Sequence, residues 1–590
     1  MAFLRLYARV MAQLRPAKDL VAVLVIANLG LAIAQFAEPM LFGRIVDRIV
    51  TAGQAGRTPT WNEVAPLLVL WGAFGLFNIG AGVLIALHAD RLAHRQRLAT
   101  MATFFDHVLH LPLSFHASSH SGRLIKIMLE STAGMFGLWL SFFREHCSSF
   151  AALIVLLPLS LFVNPRLGSI LVALLIIFGA VMILVIRRTE RLQYAVNRVH
   201  TDLAERVTDA LGNVPAIQSF TRTEDESRAL RGINAGLLAL QLPVLSWWAI
   251  ASTSTRASAT LSLLTIFTLG VWLDMRGLAT IGQIVTFMSL ASMLIARLEQ
   301  ALGFINMMFM QAPKLRQFFE VLDTRSGIVD APGARDVGRL AGAVDFENVS
   351  YSYDGRREAV SGLSFHARPG RTIALVGATG SGKSTTLGLL HRVFDPSRGR
   401  ILIDGVDIRQ MTLRSLRDNI GVVFQEPFLF ARSIEENLRI GKPDASAAEI
   451  ANALERAQAR EFVAGLPDGL ASLVGERGRG LSGGERQRLA IARVLLKDPA
   501  ILIFDEATSA LDARTERQVQ AALEAATAGR TTFVIAHRLA TVRHADHILV
   551  FDHGRIAEEG TFDELVARGG LFASLAGAQL IGAMSARERT

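Results

Sequence analysis

The chain has 590 residues, 51% of them hydrophobic, a formal net charge of +9 and a single cysteine, Cys147. That length excludes one ordinary domain of about 100–200 residues, and one cysteine excludes any internal disulfide, leaving Cys147 as a small apolar helix residue. The 61 Lys and Arg residues are dispersed, which excludes the concentrated basic face that tracks a nucleic-acid backbone.

The start, "MAFLRLYARVMAQLRPAKDL", is basic and amphipathic. The apolar run behind it continues past the length of a signal-peptide core without a small-residue cleavage site, so the segment is read as retained. A helix crossing a bilayer needs about 20 mostly apolar residues, because nothing in the hydrocarbon can satisfy its backbone. Six such spans are expected, at about 20–41, 64–88, 144–163, 167–187, 247–273 and 280–306. The connections 88–135 and 187–241 are rich in Lys and Arg and helical in their apolar spacing, with turns near 115–124 and 212–220. "VNPRLG" and "DMRGLA" are short turns on the other side, so both termini are expected in the cytoplasm. Arg144-Glu145-His146 is expected at the cytoplasmic boundary of the third span.

A polar linker is expected over 311–342, followed by a second domain over 343–578 and a tail over 579–590. In that domain "TIALVG", "IGVVFQ", "AILIFDEA", "TTFVIAH" and "HILVFDHG" alternate with helical segments. This is the pattern of an α/β fold with a mainly parallel sheet that binds ligands at its carboxyl edge. "LVGATGSGKSTT" (375–386) follows the first of these strands and opens a helix, the context of a phosphate-binding loop. Gly377, Ala378, Thr379, Gly380, Ser381, Gly382 and Thr385 form the cradle, Lys383 neutralises the outer phosphates, and Ser384 can ligate Mg²⁺. "ILIFDE" ends in two acids that burial does not explain. Asp505 is expected to hold Mg²⁺ and Glu506 to polarise a water for in-line attack on ATP.

"LSGGERQRLAIARVLL" (481–496) resembles the signature segment of the ATP-binding-cassette transporters. Gln425 in "VVFQEPFLF", "SALD" at 509–512, His537 in "VIAHRL" and Tyr353 in "YSYDG" match that family in order and spacing. The resemblance implies that Tyr353 stacks on adenine, although Tyr351 is an equally placed competitor. It implies that Gln425 senses Mg²⁺ and the attacking water, and that His537 contacts the terminal phosphate. Ser482, Gly483 and Gly484 would face the ATP held by a partner subunit. One complete motif set and six spans per chain, where the family works with two of each, imply an exporter-type homodimer, with a heterodimer as the alternative. The family also makes the hairpin tips near 115–124 and 212–220 docking surfaces for the ATPase domain.

"LRLYARVMAQL" and "AEPMLFGRIVDRIV" resemble the cyclic β-1,2-glucan exporters of Gram-negative bacteria, which implies a glucan cargo and a place in the inner membrane. A lipid flippase or multidrug exporter shares the architecture, and an ATP-gated channel is the reading from another class. A path for sugar should combine polar groups with flat aromatics. Trp247, Trp248 and Arg256 in the fifth span, with Arg297 and Glu299 in the sixth, are the candidates, because intramembrane charge is costly and usually functional. The Trp pair equally fits an interfacial aromatic belt.

Overall fold

A helix satisfies its own backbone as it carries a long apolar run through lipid, and in the computed structural model the regular elements among the described residues up to 325 are all helical. It describes all residues except 1, 113–114, 117–118, 120, 326, 354, 476–477, 506–512, 537–541 and 578–590. Two units divide between Arg325 and Ser326.

Among the described residues of the first unit, six helical runs are long and apolar enough to cross a bilayer: Arg15–Gln54, Trp61–Leu109, Ser121–Val163, Pro165–Gly212, Thr223–Asp274 and Ile281–Asp323. Trp61–Leu109, at 49 residues, is about 70 Å long, more than twice the ~30 Å hydrocarbon core, so it continues well outside the membrane. Local chemistry sets the short turns. Asn164 accepts from the backbone of Arg166 and Leu167 and is followed by Pro165, while Thr280 accepts from Gln283, so each caps the helix that leaves its turn.

The third crossing is not a uniform helix. Ser121–Ser141 and Cys147–Val163 are joined through a π-helical turn, Phe142–His146, which contains the Arg144-Glu145-His146 triplet expected at the boundary. A π-turn breaks the regular ladder of backbone bonds, and the buried Asn28 amide from the first crossing donates to the Phe143 carbonyl at 3.0 Å. Arg144 lies 3.8 Å from Asp90 of the second crossing. The first and sixth crossings meet where neither has a side chain, since a Cβ on Gly282 would stand 2.1 Å from the Gly43 carbonyl. Asp47 closes that contact by accepting from Gly282 N at 2.7 Å and Thr280 Oγ1 at 2.8 Å.

The linker expected over 311–342 does not exist as a separate segment. Its first part continues the sixth crossing as helix to Asp323, where apolar Leu315, Phe318, Phe319 and Val321 are buried. Its last part belongs to the second unit and is held there by polar side chains from both sides of the contact. Asp330 accepts from Leu413 N, Asp336 from the Thr412 hydroxyl, and Asp404 from the backbone of Ala341, Gly342 and Ala343.

The second unit holds two sheets. β1 (Val344–Ser352), β2 (Glu358–Ala367), β4 (Arg398–Ile403) and β5 (Val406–Asp407) make an antiparallel sheet in the order β2-β1-β4-β5. The larger sheet, in the order β10-β9-β3-β8-β7-β6, takes β3 (Thr372–Gly377), β6 (Ile420–Val423), β7 (Ile501–Asp505), β8 (Thr531–Ile535) and β9 (His547–Asp552) in parallel, with β10 (Arg555–Gly560) antiparallel at the edge. Period-two alternation divides its side chains between two cores. Ile373, Leu375, Ile501 and Ile503 pack toward the small sheet, while Ala374, Leu502 and Phe504 pack toward the helices.

Candidate functional site

Parallel pairing places the ends of four strands on one edge. β3 runs beside β8, β8 beside β7 and β7 beside β6, with Leu375 level with Ile535, Asp505 with Ile535, and Val423 with Phe504. The phosphate loop, Asp505 and Gln425 therefore leave the sheet together at its carboxyl edge. Glu506 and His537 lie outside the described residues, as does the "SALD" segment.

The loop geometry explains its glycines. Gly382 has φ +104, and a Cβ there would approach the Ala359 carbonyl to 2.8 Å; at Gly377 a Cβ would stand 2.3 Å from the Phe551 carbonyl. The backbone has to pass against β2 and β9 before it can turn into the helix Lys383–Leu390. Lys383 is buried, and its ammonium crosses the loop to donate to the carbonyls of Gly377 at 2.8 Å and Ala378 at 2.9 Å. Thus a fixed positive charge stands over backbone amides at a helix N-terminus, an arrangement suited to a polyphosphate. Ser384 is exposed in the first helical turn and Thr385 is half-buried.

A cleft of about 510 Å³ opens beside the loop, lined by Ala378, Thr379, Gly380 and Ser381 together with Tyr353, Arg357 and His553. Its shape separates the two competing tyrosines. Tyr351 stacks on Phe394 at 5.1 Å and is half-buried, its phenol pushed up by burial and then by Tyr353. Tyr353 is 59% exposed at the cleft and its hydroxyl lies 3.1 Å from Thr385 Oγ1. Sequence reading missed Arg357 and His553. The signal for His553 was the "DHG" turn between β9 and β10, where His553 itself takes φ +43 and is held against the loop because Gly554 N donates to the Ser381 carbonyl.

Ser482 caps the helix Gly483–Lys497, and its backbone N–H and hydroxyl exchange bonds with Glu485 in a capping box. Gly484 is buried in the first turn, and Ser482 and Gly483 are exposed. None of these three lines the cleft beside the phosphate loop. The capped helix end at Ser482 and the phosphate loop are separate surfaces of the chain.

The cargo-path candidates fall into three sets of contacts. Arg256 bonds Glu299 at 3.1 Å across the fifth and sixth crossings. Arg297 turns toward Gln35, Ser149 and Gln300. Trp247 lies under the guanidinium of Arg188 at 6.0 Å, and Trp248 stands edge-on to Phe309 at 6.3 Å.

Comparison with known proteins agrees with both halves. The ABC transporter transmembrane region family matches residues 21–298, and the ABC transporter family matches residues 360–509. The chain is 56% identical, over all of its length and 97% of the relative's, to the β-(1→2)glucan export ATP-binding/permease protein NdvA of Bradyrhizobium diazoefficiens. It is 42% identical, over 98% of its length and 96% of the relative's, to the protein of the same name from Agrobacterium fabrum. Among solved structures, a bacterial Atm1-family ABC exporter with ATP bound superposes with a TM-score of 0.86 at 28% identity, covering 95% of this chain and 98% of that one. The cleft, the multi-pass helices and these full-length likenesses lead to one conclusion: the chain belongs to the ATP-binding-cassette exporters with fused membrane and ATPase domains, and it binds and hydrolyses ATP to drive export across a membrane.

Proposed function

We propose that the cargo is a cyclic β-1,2-glucan, moved from cytoplasm to periplasm across a bacterial inner membrane by a homodimer whose termini are all cytoplasmic. The full-length likeness to proteins named as β-(1→2)glucan exporters carries the cargo assignment. The homodimer rests on the separation of Ser482–Gly484 from the cleft, since a second copy is the economical source of the missing helix end.

In this reading Tyr353 stacks on adenine, the amides of 377–385 and Lys383 hold the phosphates, and Ser482, Gly483 and Gly484 close over ATP bound to the other subunit. Ser384, Gln425 and Asp505 would hold Mg²⁺, which supplies charge neutralisation on the phosphates. One hydroxyl, one amide and one carboxylate at the sheet edge make a hard-oxygen set that leaves places for water and phosphate, as that ion prefers. Glu506 polarises the attacking water and His537 contacts the terminal phosphate. ATP binding draws two ATPase domains together and biases the crossings toward the outward-facing state, and hydrolysis resets them.

Inverted membrane vesicles containing the protein test this reading. They should accumulate cyclic β-1,2-glucan when given ATP, and Glu506→Gln should cut both uptake and ATPase by about 10²-fold or more. Vesicles that ignore glucan but move a lipid or a hydrophobic drug would replace the cargo with that of a flippase or multidrug exporter. Near-normal ATPase in Glu506→Gln would remove the catalytic assignment.

A further inference from the structure

Arg297 presents a problem of charge. It lies in the sixth crossing, half-buried, and among the described residues no carboxylate comes within ion-pair distance of it. Its partners are neutral: Nη1 donates to Ser149 Oγ and Gln300 Oε1, each at 3.0 Å, and Nη2 donates to Gln35 Oε1 at 2.5 Å. A guanidinium with five N–H groups in a fixed fork keeps donor capacity beyond these three bonds. A lone intramembrane cation is expensive unless it faces water or a ligand, so its retention here requires a use.

Three crossings build this place. Gln35 ends the first helix Lys18–Gln35, Ser149 follows the π-turn of the third crossing, and Arg297 and Gln300 share one face of the sixth. The π-turn sets up Ser149, whose hydroxyl lies 2.7 Å from the Glu145 carbonyl and 2.9 Å from Gln300 Oε1. Such turns recur at functional sites because they re-aim side chains at a cost in backbone bonding. In the same turn His146 is only 6% exposed, its ring packs 4.3 Å from that of Phe304, and its Nδ1 has no hydrogen-bond partner. A buried polar atom without a partner is costly, which sets this spot apart from ordinary helix packing.

Two residues on from Arg297, and so on another face of the sixth crossing, Glu299 pairs with Arg256 and leaves 71% of the arginine side chain exposed. Hydrocarbon cannot be what meets that charge, so this side of the fifth and sixth crossings faces water or protein. Gln300, also exposed, opens the Arg297 cluster at the surface of the unit.

We infer that Gln35, Ser149, Arg297 and Gln300, with His146 and the Phe304 ring behind them, form a sugar-binding subsite inside the membrane domain. This inference rests on the glucan reading above. The ligand it fits is a neutral pyranose unit. Its hydroxyl and ring oxygens can accept from the unused guanidinium N–H groups, and its hydroxyls can donate to Gln35 Oε1, which has a lone pair left beyond its bond from Arg297. It also reassigns the cargo contacts: Arg256, already paired with Glu299, becomes part of the cavity wall, and Arg297 becomes the group that grips.

The test measures ATPase of the purified full-length protein in lipid nanodiscs against the concentration of cyclic β-1,2-glucan. Wild type should be stimulated, and Arg297→Ala should raise the half-stimulating concentration about tenfold or more, the scale of losing hydrogen bonds to a charged group. Ser149→Ala and Gln300→Ala, each removing one neutral partner, should raise it by smaller factors, and they read the same site if Arg297→Ala fails to fold. Arg276→Ala, whose guanidinium rests on Trp272 at 3.9 Å and away from the cluster, should change it less than twofold. If wild type is stimulated and all three cluster variants keep its half-stimulating concentration within twofold, the subsite is wrong while the glucan reading stands. If wild type does not respond to glucan at all, the glucan reading fails and takes the subsite with it.

Discussion

The ATPase domain and the membrane domain both carry buried or half-buried cations, but they carry them differently. Lys383 is surrounded by a loop whose backbone is forced into place by glycines at Gly377, Gly380 and Gly382, so its position follows from the sequence motif itself. Arg297 is placed by side chains drawn from three crossings that are up to 262 residues apart in sequence, and no local pattern announces the meeting. Chemistry built on one stretch of backbone can be read from sequence, whereas chemistry built between helices needs the packing.

The largest expected effect tests whether the ATPase chemistry is as complete within one chain as its motifs suggest. Lys383→Ala and Ser482→Arg homodimers should each lose ATPase by about 10²-fold or more, since the first removes the cation on the phosphates and the second blocks the helix end with a bulky side chain, in both sites at once. Mixed dimers of the two variants concentrate both lesions in one composite site and leave the other intact, so they should recover about half of wild-type activity. Normal hydrolysis in either homodimer, or no recovery in the mixed dimer, would show that the helix end at Ser482 does not serve the partner's nucleotide.

The phosphate loop, the strand that ends at Asp505 and the signature helix were legible because each needs particular residues at fixed spacing on a strand or helix. Ser482 and Glu485 even declare their capping box in the text "SGGE". The linker was misread for a physical reason. Its Asp330 and Asp336 look like solvated polar chain, and only the fold supplies the Leu413 N–H and the Thr412 hydroxyl that they accept from. The π-turn was invisible as well, since "FFREH" has no feature that separates it from ordinary helix. Tyr351 and Tyr353 stand two residues apart with their rings 5.0 Å from each other and both against Phe394, and choosing between them required knowing which one is left exposed at the cleft.

A middle-sized effect asks which membrane glycines matter. Gly282 and Gly72 look alike in sequence, but a Cβ on Gly282 would meet the Gly43 carbonyl at 2.1 Å, while one on Gly72 meets nothing within 4 Å. Gly282→Ala must push the first and sixth crossings apart and strain the Asp47 cap, at a cost of about 1–3 kcal/mol. Thermal melting in nanodiscs should register that loss, and Gly72→Ala should stay within about 0.5 kcal/mol of wild type. Equal melting of the two variants would mean that the close approach of Gly43 and Gly282 contributes nothing to stability.

The smallest effect probes the strap that replaced the expected linker. Asp498 stands at the end of the signature helix with φ +52 and accepts from Arg339 of the strap at 2.6 Å and from the nearly buried Arg530 at 2.5 Å. Burial pushes its carboxyl up, but hydrogen bonds from both arginines outweigh this and hold it below the usual carboxylate range. A depressed folded pKa contributes stability that is complete above the unfolded value of about 3.9 and is lost as pH falls through the folded one. Asp498→Asn should therefore cost the ATPase domain about 1 kcal/mol near neutrality, a modest figure because the carboxylate is half-exposed and solvent screens the pair. The cost should stay constant down to about pH 5 and then shrink, as the wild-type carboxyl protonates and loses the advantage that the variant never had. Denaturant unfolding of the full-length protein across pH 3–7, followed at the ATPase-domain transition, reads both features. A gap between wild type and variant that stays constant to pH 3 would assign the difference to uncharged packing and hydrogen bonding, since the left-handed helix-end backbone tolerates Asn as well as Asp; a gap that closes assigns it to the charge that ties Arg339 and Arg530 together.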